Sequence, residues 1–425
     1  MVKIIVSTKD EDFVMNLVNE IISLSELNEP GLKYKNQNIF KSINRLYVLG
    51  ETLNITKLEI NNSLKRGFIN KAIIKYKNYK NKNYSYFKRG LQTIVENYYN
   101  KKEVKYKILF PMNIDYDWIK ELKVDKLNNF QIELHDYCYI NDKYLQNNKD
   151  ELKKFYDIIT SMKKGFSYFI VIVYGRDPQS SFNQANSVIE FYRGLINLKD
   201  SGGRKIWQFG TFQGVPFSKY GPSKKMLVFD SKNKLLTYYF RDIHERHDQI
   251  SAPFEKDWMA EINGIRELFN KFKNCADTKF KNLIEQLIHS YNLALDETEP
   301  HFKFLYFWQI LENIFRENAN EKYDNITKRI KNMYKNDKTE SKIIDTLFRK
   351  RNKIVHDGDI RHIELEDVNQ IKKIVDFVLL GLVYNIDEYK TKQDLIYYFD
   401  NVDLKLEVID EKIKALQRIT QLRKE

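Results

Sequence analysis

Cysteine and proline are scarce in this sequence of 425 residues, and no long apolar run occurs. Its two cysteines, Cys138 and Cys275, stand far apart and match neither a disulfide framework nor the close spacing of a metal site. A reducing compartment is therefore expected. The longest apolar stretches, around Phe169 to Tyr174 and Val375 to Tyr384, fall well short of the ~20 residues that cross a bilayer. The opening MVKIIVSTKDEDF meets acidic side chains too early for the apolar region of a secretory signal. Together these absences predict a cytoplasmic protein without a membrane partner. Phosphate loops, nucleophile elbows and kinase signatures are missing too, which removes the commonest nucleotide-dependent and serine-hydrolase classes.

What is present is ample core material, with 42% apolar and 14% aromatic residues. A chain this long exceeds one ordinary core, since single cores stop growing near ~250 to 300 residues, so two or three domains are expected. Lysine and arginine number 71 against 58 acids, a net charge of +13 spread along the chain. An anionic partner fits that excess but is not required by it. Lys, Asn, Ile and Tyr dominate throughout, so counts of lysine alone carry little weight.

Periodicity divides the chain. Residues 1–250 mix strand and helix patterns and read as an α+β sensing or regulatory region, with room for two subdomains. Strands are expected at Lys3 to Val6, Lys105 to Phe110, Phe130 to Ile140, Phe166 to Tyr174, Lys205 to Phe212, Met226 to Phe229 and Leu235 to Phe240. A first helix presents Phe13, Leu17, Ile21 and Leu24 on one face. After Ser251 to Pro253 the strand pattern stops, and 254–425 reads as an all-α bundle. Its helices are expected near 254–272, 278–295, 301–317, 322–334, 339–355, 364–388 and 404–423. Pro300 is the last proline, so nothing beyond it breaks a helix for lack of an amide hydrogen.

Chemistry concentrates in residues 347–358, LFRKRNKIVHDG. Arg351 is followed by Asn352 and, five positions on, by His356; Asp357 and Gly358 mark a helix end, with Gly358 suited to a left-handed cap. RNA can be cut without metal by its own 2′-hydroxyl, given a base that titrates near neutrality and a cation on the phosphate. Histidine is the side chain whose ordinary titration suits that proton transfer. Arginine presents a planar fork to phosphate oxygens and stabilises charge developing on phosphorus. Asn352 is suited to hydrogen-bond a phosphate or position the histidine. On one straight helix, five residues place the two side chains about 140° apart. Either the helix frays near His356 or two chains combine their motifs around one phosphate. The same residues have a plainer reading, an arginine on helix-end carbonyls and a histidine against the C-terminal dipole.

Upstream, in residues 304–315, FLYFWQILENIF, an apolar stripe of Phe304, Trp308, Leu311 and Phe315 carries Glu312 one turn after Trp308. A partly buried carboxylate needs a cationic or hydrogen-bonding partner, and Arg351 is the candidate. An ordinary exposed glutamate is the alternative.

These two segments, WQILE followed by a basic helix ending RNKIVH, resemble the HEPN superfamily, most closely the Apea-like HEPN domains of bacterial phage-defence and abortive-infection proteins. The resemblance covers about the last third of the chain. It implies a metal-independent endoribonuclease acting as a homodimer through its C-terminal domain, leaving 2′,3′-cyclic phosphate ends, with Arg351 and His356 catalytic and Asn352 supporting. It further implies a toxin-like role restrained by an antitoxin or released by a phage-derived trigger, with tRNA or single-stranded RNA as substrate and no metal or cofactor. A fainter likeness joins the strand running into Gly175, Arg176, Asp177 and Pro178 to the leader region of the same proteins.

Other features compete. Lys75, Lys77, Lys80 and Lys82 alternate with Tyr76 and Tyr79, and Arg349 and Lys350 flank the motif; phosphates favour the former type and unpaired bases stack on the latter. A solvated face explains the tract equally well. Arg241, His244, Arg246 and His247, with Glu245 and Asp248, read as a charged loop rather than a metal site. The last helix, with Leu406, Ile409, Ile413, Leu416 and Ile419 near one side, suits docking on its own domain or a dimer seam. The alternative to a nuclease is a non-catalytic, dimeric module binding RNA or a protein partner.

Overall fold

In the structure, a computed structural model, the residues described are 5–7, 9–28, 31–34, 39–56, 62–78, 83–122, 126–127, 130–153, 163–201, 216–241, 250–251, 258–275, 278–318, 320–334 and 337–423. Their chain traces two compact units, one of residues 1–105 with 174–181 and one of residues 106–173 with 182–425. The division thus falls near residue 105, where the sequence suggested a boundary after residue 250.

The first unit is built on four helices, α1 (Glu11–Ser23), α2 (Ile39–Thr52), α3 (Asn62–Lys77) and α4 (Tyr84–Tyr99). Two small antiparallel pairs accompany them, β1 (Ile5–Ser7) with β4 (Asn54–Thr56) and β2 (Ser25–Asn28) with β3 (Gly31–Tyr34). Asp10 starts α1 by accepting the Phe13 amide hydrogen at 2.8 Å. The face α1 buries is Val14, Leu17, Val18 and Ile21, while Phe13 stays exposed. The four-residue step from Val14 to Val18 sets the stripe one residue later than the spacing from Phe13 suggested. In α3, Phe68, Ile69, Ala72, Ile73 and Tyr76 point inward and Lys71 and Lys75 outward. Tyr98 donates to the Asp177 carboxylate, and burial with that contact pushes its hydroxyl up to about 12.

The second unit holds a six-stranded sheet in the order β10, β9, β5, β8, β7, β6. These are β5 (Val104–Asp115), β6 (Lys126–Leu127), β7 (Phe130–His135), β8 (Phe166–Gly175), β9 (Lys225–Phe229) and β10 (Leu235–Phe240). Strand β8 is buried on both faces: Phe169, Val171 and Val173 face one cluster, and Tyr168, Ile170 and Ile172 another. That double burial accounts for its uninterrupted apolar run. Strand β7 stops at His135, short of the expected Ile140, because Asp136 accepts the Tyr139 amide hydrogen at 2.8 Å and starts a helical turn. The strand expected at Lys205 to Phe212 lies outside the described residues.

Helix α5 (Pro178–Ser201) covers the sheet. From Trp258 onward every described element is helical: α6 (Trp258–Asn274), α7 (Thr278–Asp296), α8 (Pro300–Phe315), α9 (Tyr323–Met333), α10 (Lys338–Asp357), α11 (Leu365–Tyr384), α12 (Lys392–Asn401) and α13 (Leu406–Leu422). The α+β region followed by a helical bundle is therefore the observed architecture. Helix α12, not expected from the apolar pattern, is started by a reciprocal Thr391 and Asp394 capping box. No helix among the described residues is long and apolar enough to cross a membrane.

One apolar cluster runs without a break from Tyr106 in the sheet to Phe399 in the bundle. Charges sit inside it. Arg193 of α5, fully buried, reaches Glu190 at 2.5 Å and both oxygens of Asp296 on α7 at 2.7 and 2.8 Å. Arg241, at the exit of β10, adds contacts to Glu190 at 2.5 Å and Asp296 at 3.3 Å. Gly194 permits this approach, since a Cβ there would lie 2.4 Å from Ile288 Cγ2 on α7. Burial alone would raise the Glu190 carboxyl, yet Arg193 and Arg241 hold it below the usual carboxylate range. Its stabilising contribution is thus present above the ordinary carboxylate pKa and lost as pH falls through the depressed folded value. Glu190→Gln leaves two arginines short of a counter-charge and is expected to lower unfolding free energy by about 3 to 5 kcal/mol at neutral pH. A chemical-denaturation midpoint equal to the parent's would rule out that role.

Candidate functional site

The motif lies on α10, whose N-terminus is fixed by Asp337 accepting the amide hydrogens of Thr339 and Glu340 at 2.9 and 3.0 Å. The helix continues unbroken through His356 to Asp357, so it does not fray at the histidine. Gly358 then takes the left-handed conformation at φ 65°, donating to the Ile354 carbonyl at 3.2 Å. A side chain there would be strained, which is why glycine ends this helix.

Buried on the bundle side, Arg351 is only 7% exposed. Its Nη2 donates to Glu312 Oε1 on α8 at 2.9 Å and to the Tyr323 hydroxyl on α9. The guanidinium carbon also lies 4.2 Å over the Tyr323 ring. Glu312 is oriented in turn by Trp308, whose Nε1 donates to the same oxygen at 2.7 Å. Arg316 approaches the other Glu312 oxygen at 3.9 Å and stacks over Tyr323 at 4.7 Å. The ion pair anticipated between Glu312 and Arg351 is present, and Tyr323 is a partner that sequence reasoning missed. No spacing rule could have found it, because it lies on a third helix.

Arg351 Nη1 donates to Asn352 Oδ1 at 3.2 Å. Asn352 is half-buried, and it precedes His356 by four residues, so the two share a face of α10. His356 and Lys353 are exposed, and Arg349 lies one turn before Lys353 on the same exposed side. The solvent face of α10 therefore carries Arg349, Asn352, Lys353 and His356, and Arg351 stands off it. Lys353 was not singled out from the sequence, although its three-residue offset from His356 was the available signal.

The other candidates separate. Lys350 is engaged by Asp367 at 2.6 Å and the His362 carbonyl at 3.0 Å, and so tethers α10 to α11 rather than offering a free ammonium. Arg349 makes only contacts within its own helix, to the Asp345 carbonyl and the Thr346 hydroxyl. Lys75 is exposed and Lys77 half-buried. Tyr76 is a correction: it is 1% exposed and packs edge-on against Phe87 with ring centroids 5.9 Å apart. Alternating Lys and Tyr in a helix places neighbours about 100° apart, so the tyrosine turned into the core and is not a stacking platform. Tyr79, Lys80 and Lys82 lie outside the described residues, as do His244, Glu245, Arg246, His247 and Asp248. Arg241 belongs to the buried network with Glu190 and Asp296, not to a solvated loop. Among the described residues no group of three His, Cys, Asp or Glu side chains is arranged to hold a metal ion.

No protein-family model, curated protein or solved structure matches the chain. The geometry of α8, α9 and α10 thus stands on its own.

Glu312→Ala removes an acceptor shared by Trp308 and Arg351 and is expected to destabilise by about 2 to 3 kcal/mol, with Glu312→Gln milder. Thermal or urea unfolding measures it. Equal stability of Glu312→Ala and the parent would show that the pair contributes nothing.

Proposed function

We propose that the helical end of this protein is a metal-independent RNA-cleaving site of the HEPN type, used by a homodimer in a defence or toxin-like role. One observation carries the reading: a hydrogen-bonded relay from Trp308 through Glu312 and Arg351 to Asn352, ending beside an exposed His356 at a capped helix terminus. In this reading His356 takes the proton from the 2′-hydroxyl, which attacks the adjacent phosphorus and expels the 5′-oxygen. Asn352, held by Arg351, donates its amide hydrogens to a non-bridging oxygen. Arg351 supplies positive charge behind Asn352 and, across a two-fold axis, toward the second chain's phosphate site. The RNA is a tRNA or a single strand, and a phage-derived trigger or an antitoxin governs release.

A second reading has its own support. Arg351 is buried and neutralised by Glu312, which leaves little of its fork for a phosphate, as suits a non-catalytic module that binds RNA or a partner. The two readings part on one assay. Labelled tRNA and single-stranded RNA are incubated in EDTA with the parent protein and with folded His356→Ala and Arg351→Ala variants. The nuclease reading expects cyclic-phosphate ends from the parent and a loss of at least about 100-fold in both variants. Cleavage indifferent to both substitutions would exclude this site, and binding without cleavage by any form would favour the module.

A further inference from the structure

Helix α13 is the one described helix whose apolar stripe has nothing against it. Leu406, Ile413, Leu416 and Ile419 are 72, 47, 63 and 48% exposed, and Ile409 alone is half-buried. The steps of three and four residues along Leu406, Ile409, Ile413 and Leu416 put them on one side, the spacing of a helix seam. The expectation that this helix docks on its own domain is therefore not met. A helix of 17 residues with four β-branched apolar side chains, Val408, Ile409, Ile413 and Ile419, gains little from propensity and depends on packing to stay helical.

Charge identifies the occupant. The first six residues hold Glu407, Asp410 and Glu411 and no base; from Lys412 onward the helix holds Lys412, Lys414 and Arg418, with Arg423 following, and no acid. Lys405, just before the helix, is the single base at the acidic end. Two copies side by side in parallel would set acids against acids and bases against bases. Turned head to tail, each acidic end meets a basic one, and the apolar stripes still coincide.

We propose that α13 pairs antiparallel with α13 of a second copy of this chain, forming a two-fold helix seam. Each helix spans about 25 Å, so the seam is shorter than a standard interface and gives a concentration-dependent dimer rather than a permanent one. The seam does not rest on the nuclease reading. Association is measured without RNA, so failure of the dimer and failure of cleavage are separate results.

The test is sedimentation equilibrium of the full chain over an about hundredfold concentration range. The parent is expected to reach twice the chain mass. Ile413→Asp with Leu416→Asp should weaken association at least about tenfold with an unchanged circular-dichroism spectrum, since α13 supports no other core. Lys414→Glu with Arg418→Glu should weaken it as well. Adding Glu407→Lys and Glu411→Lys in the same chain should restore it, because only a head-to-tail pair becomes complementary again. A monomer at every concentration overturns the proposal, as does a dimer indifferent to Ile413→Asp and Leu416→Asp. A dimer indifferent to the charge reversals overturns the antiparallel arrangement. A monomer that binds phosphatidylserine vesicles through this helix would assign the face to a membrane surface instead.

Discussion

The buried contact of Arg193 with Glu190 and Asp296 is the constraint on which the second unit is arranged. Charges taken out of water cost several kcal/mol each unless their hydrogen-bonding groups are met in full. Here the guanidinium meets two carboxylates and the Tyr220 carbonyl, and Arg241 closes the outer side. Such a set tolerates few geometries. It fixes α5, which lies on the sheet, against the C-terminal end of α7, which begins the bundle, and Gly194 lets the two backbones come close enough. An apolar contact would permit sliding; a forked arginine between two carboxylates does not. The sheet and the bundle consequently share one core, and the positions of α8, α9 and α10 descend from α7.

The contact between Arg351 and Glu312 repeats the device on a smaller scale and at the edge of the core. Its side chains are 9 and 15% exposed, against 0 and 3% for Arg193 and Glu190. Water therefore reaches the outer pair more readily, and its energetic weight is smaller. What it adds is direction: the shared oxygen of Glu312 ties an indole, a guanidinium and, through Nη1, the Asn352 amide into one line. A side chain held this way loses little freedom on meeting a ligand, which is the condition for a preorganised site.

What the sequence disclosed follows from the range of each interaction. Strand and helix periods are local, so β5, β8, β9, β10 and the helices α6 to α11 were legible from runs and stripes. The Gly358 cap was legible because its geometry involves one residue. Even the pairing of Glu312 with Arg351 could be anticipated, since an apolar stripe beside a carboxylate implies a buried cation. Three features were not legible. Tyr323 under Arg351 is a contact between distant helices with no apolar period to announce it. Arg241 looked like part of a charged loop because Glu190 and Asp296, its partners, are 51 and 55 residues away. Tyr76 looked like a surface ring because alternation along the chain resembles alternation on a surface, and only the helical turn separates the two.

The regularity of α10 bears directly on any use of Arg351 and His356 together. A frayed end would have let the histidine swing back toward the arginine, but the helix runs on to Asp357 and the left-handed Gly358 closes it. Their side chains then stay about 140° apart on one helix, one inward and one outward. A single phosphate touched by both must be met by groups from two chains, or else be met by His356 with Asn352 and Lys353 while Arg351 acts only through Asn352. The first arrangement makes the site vanish on dilution; the second leaves it intact in a monomer. Concentration dependence of cleavage is therefore the property that connects helix geometry to mechanism.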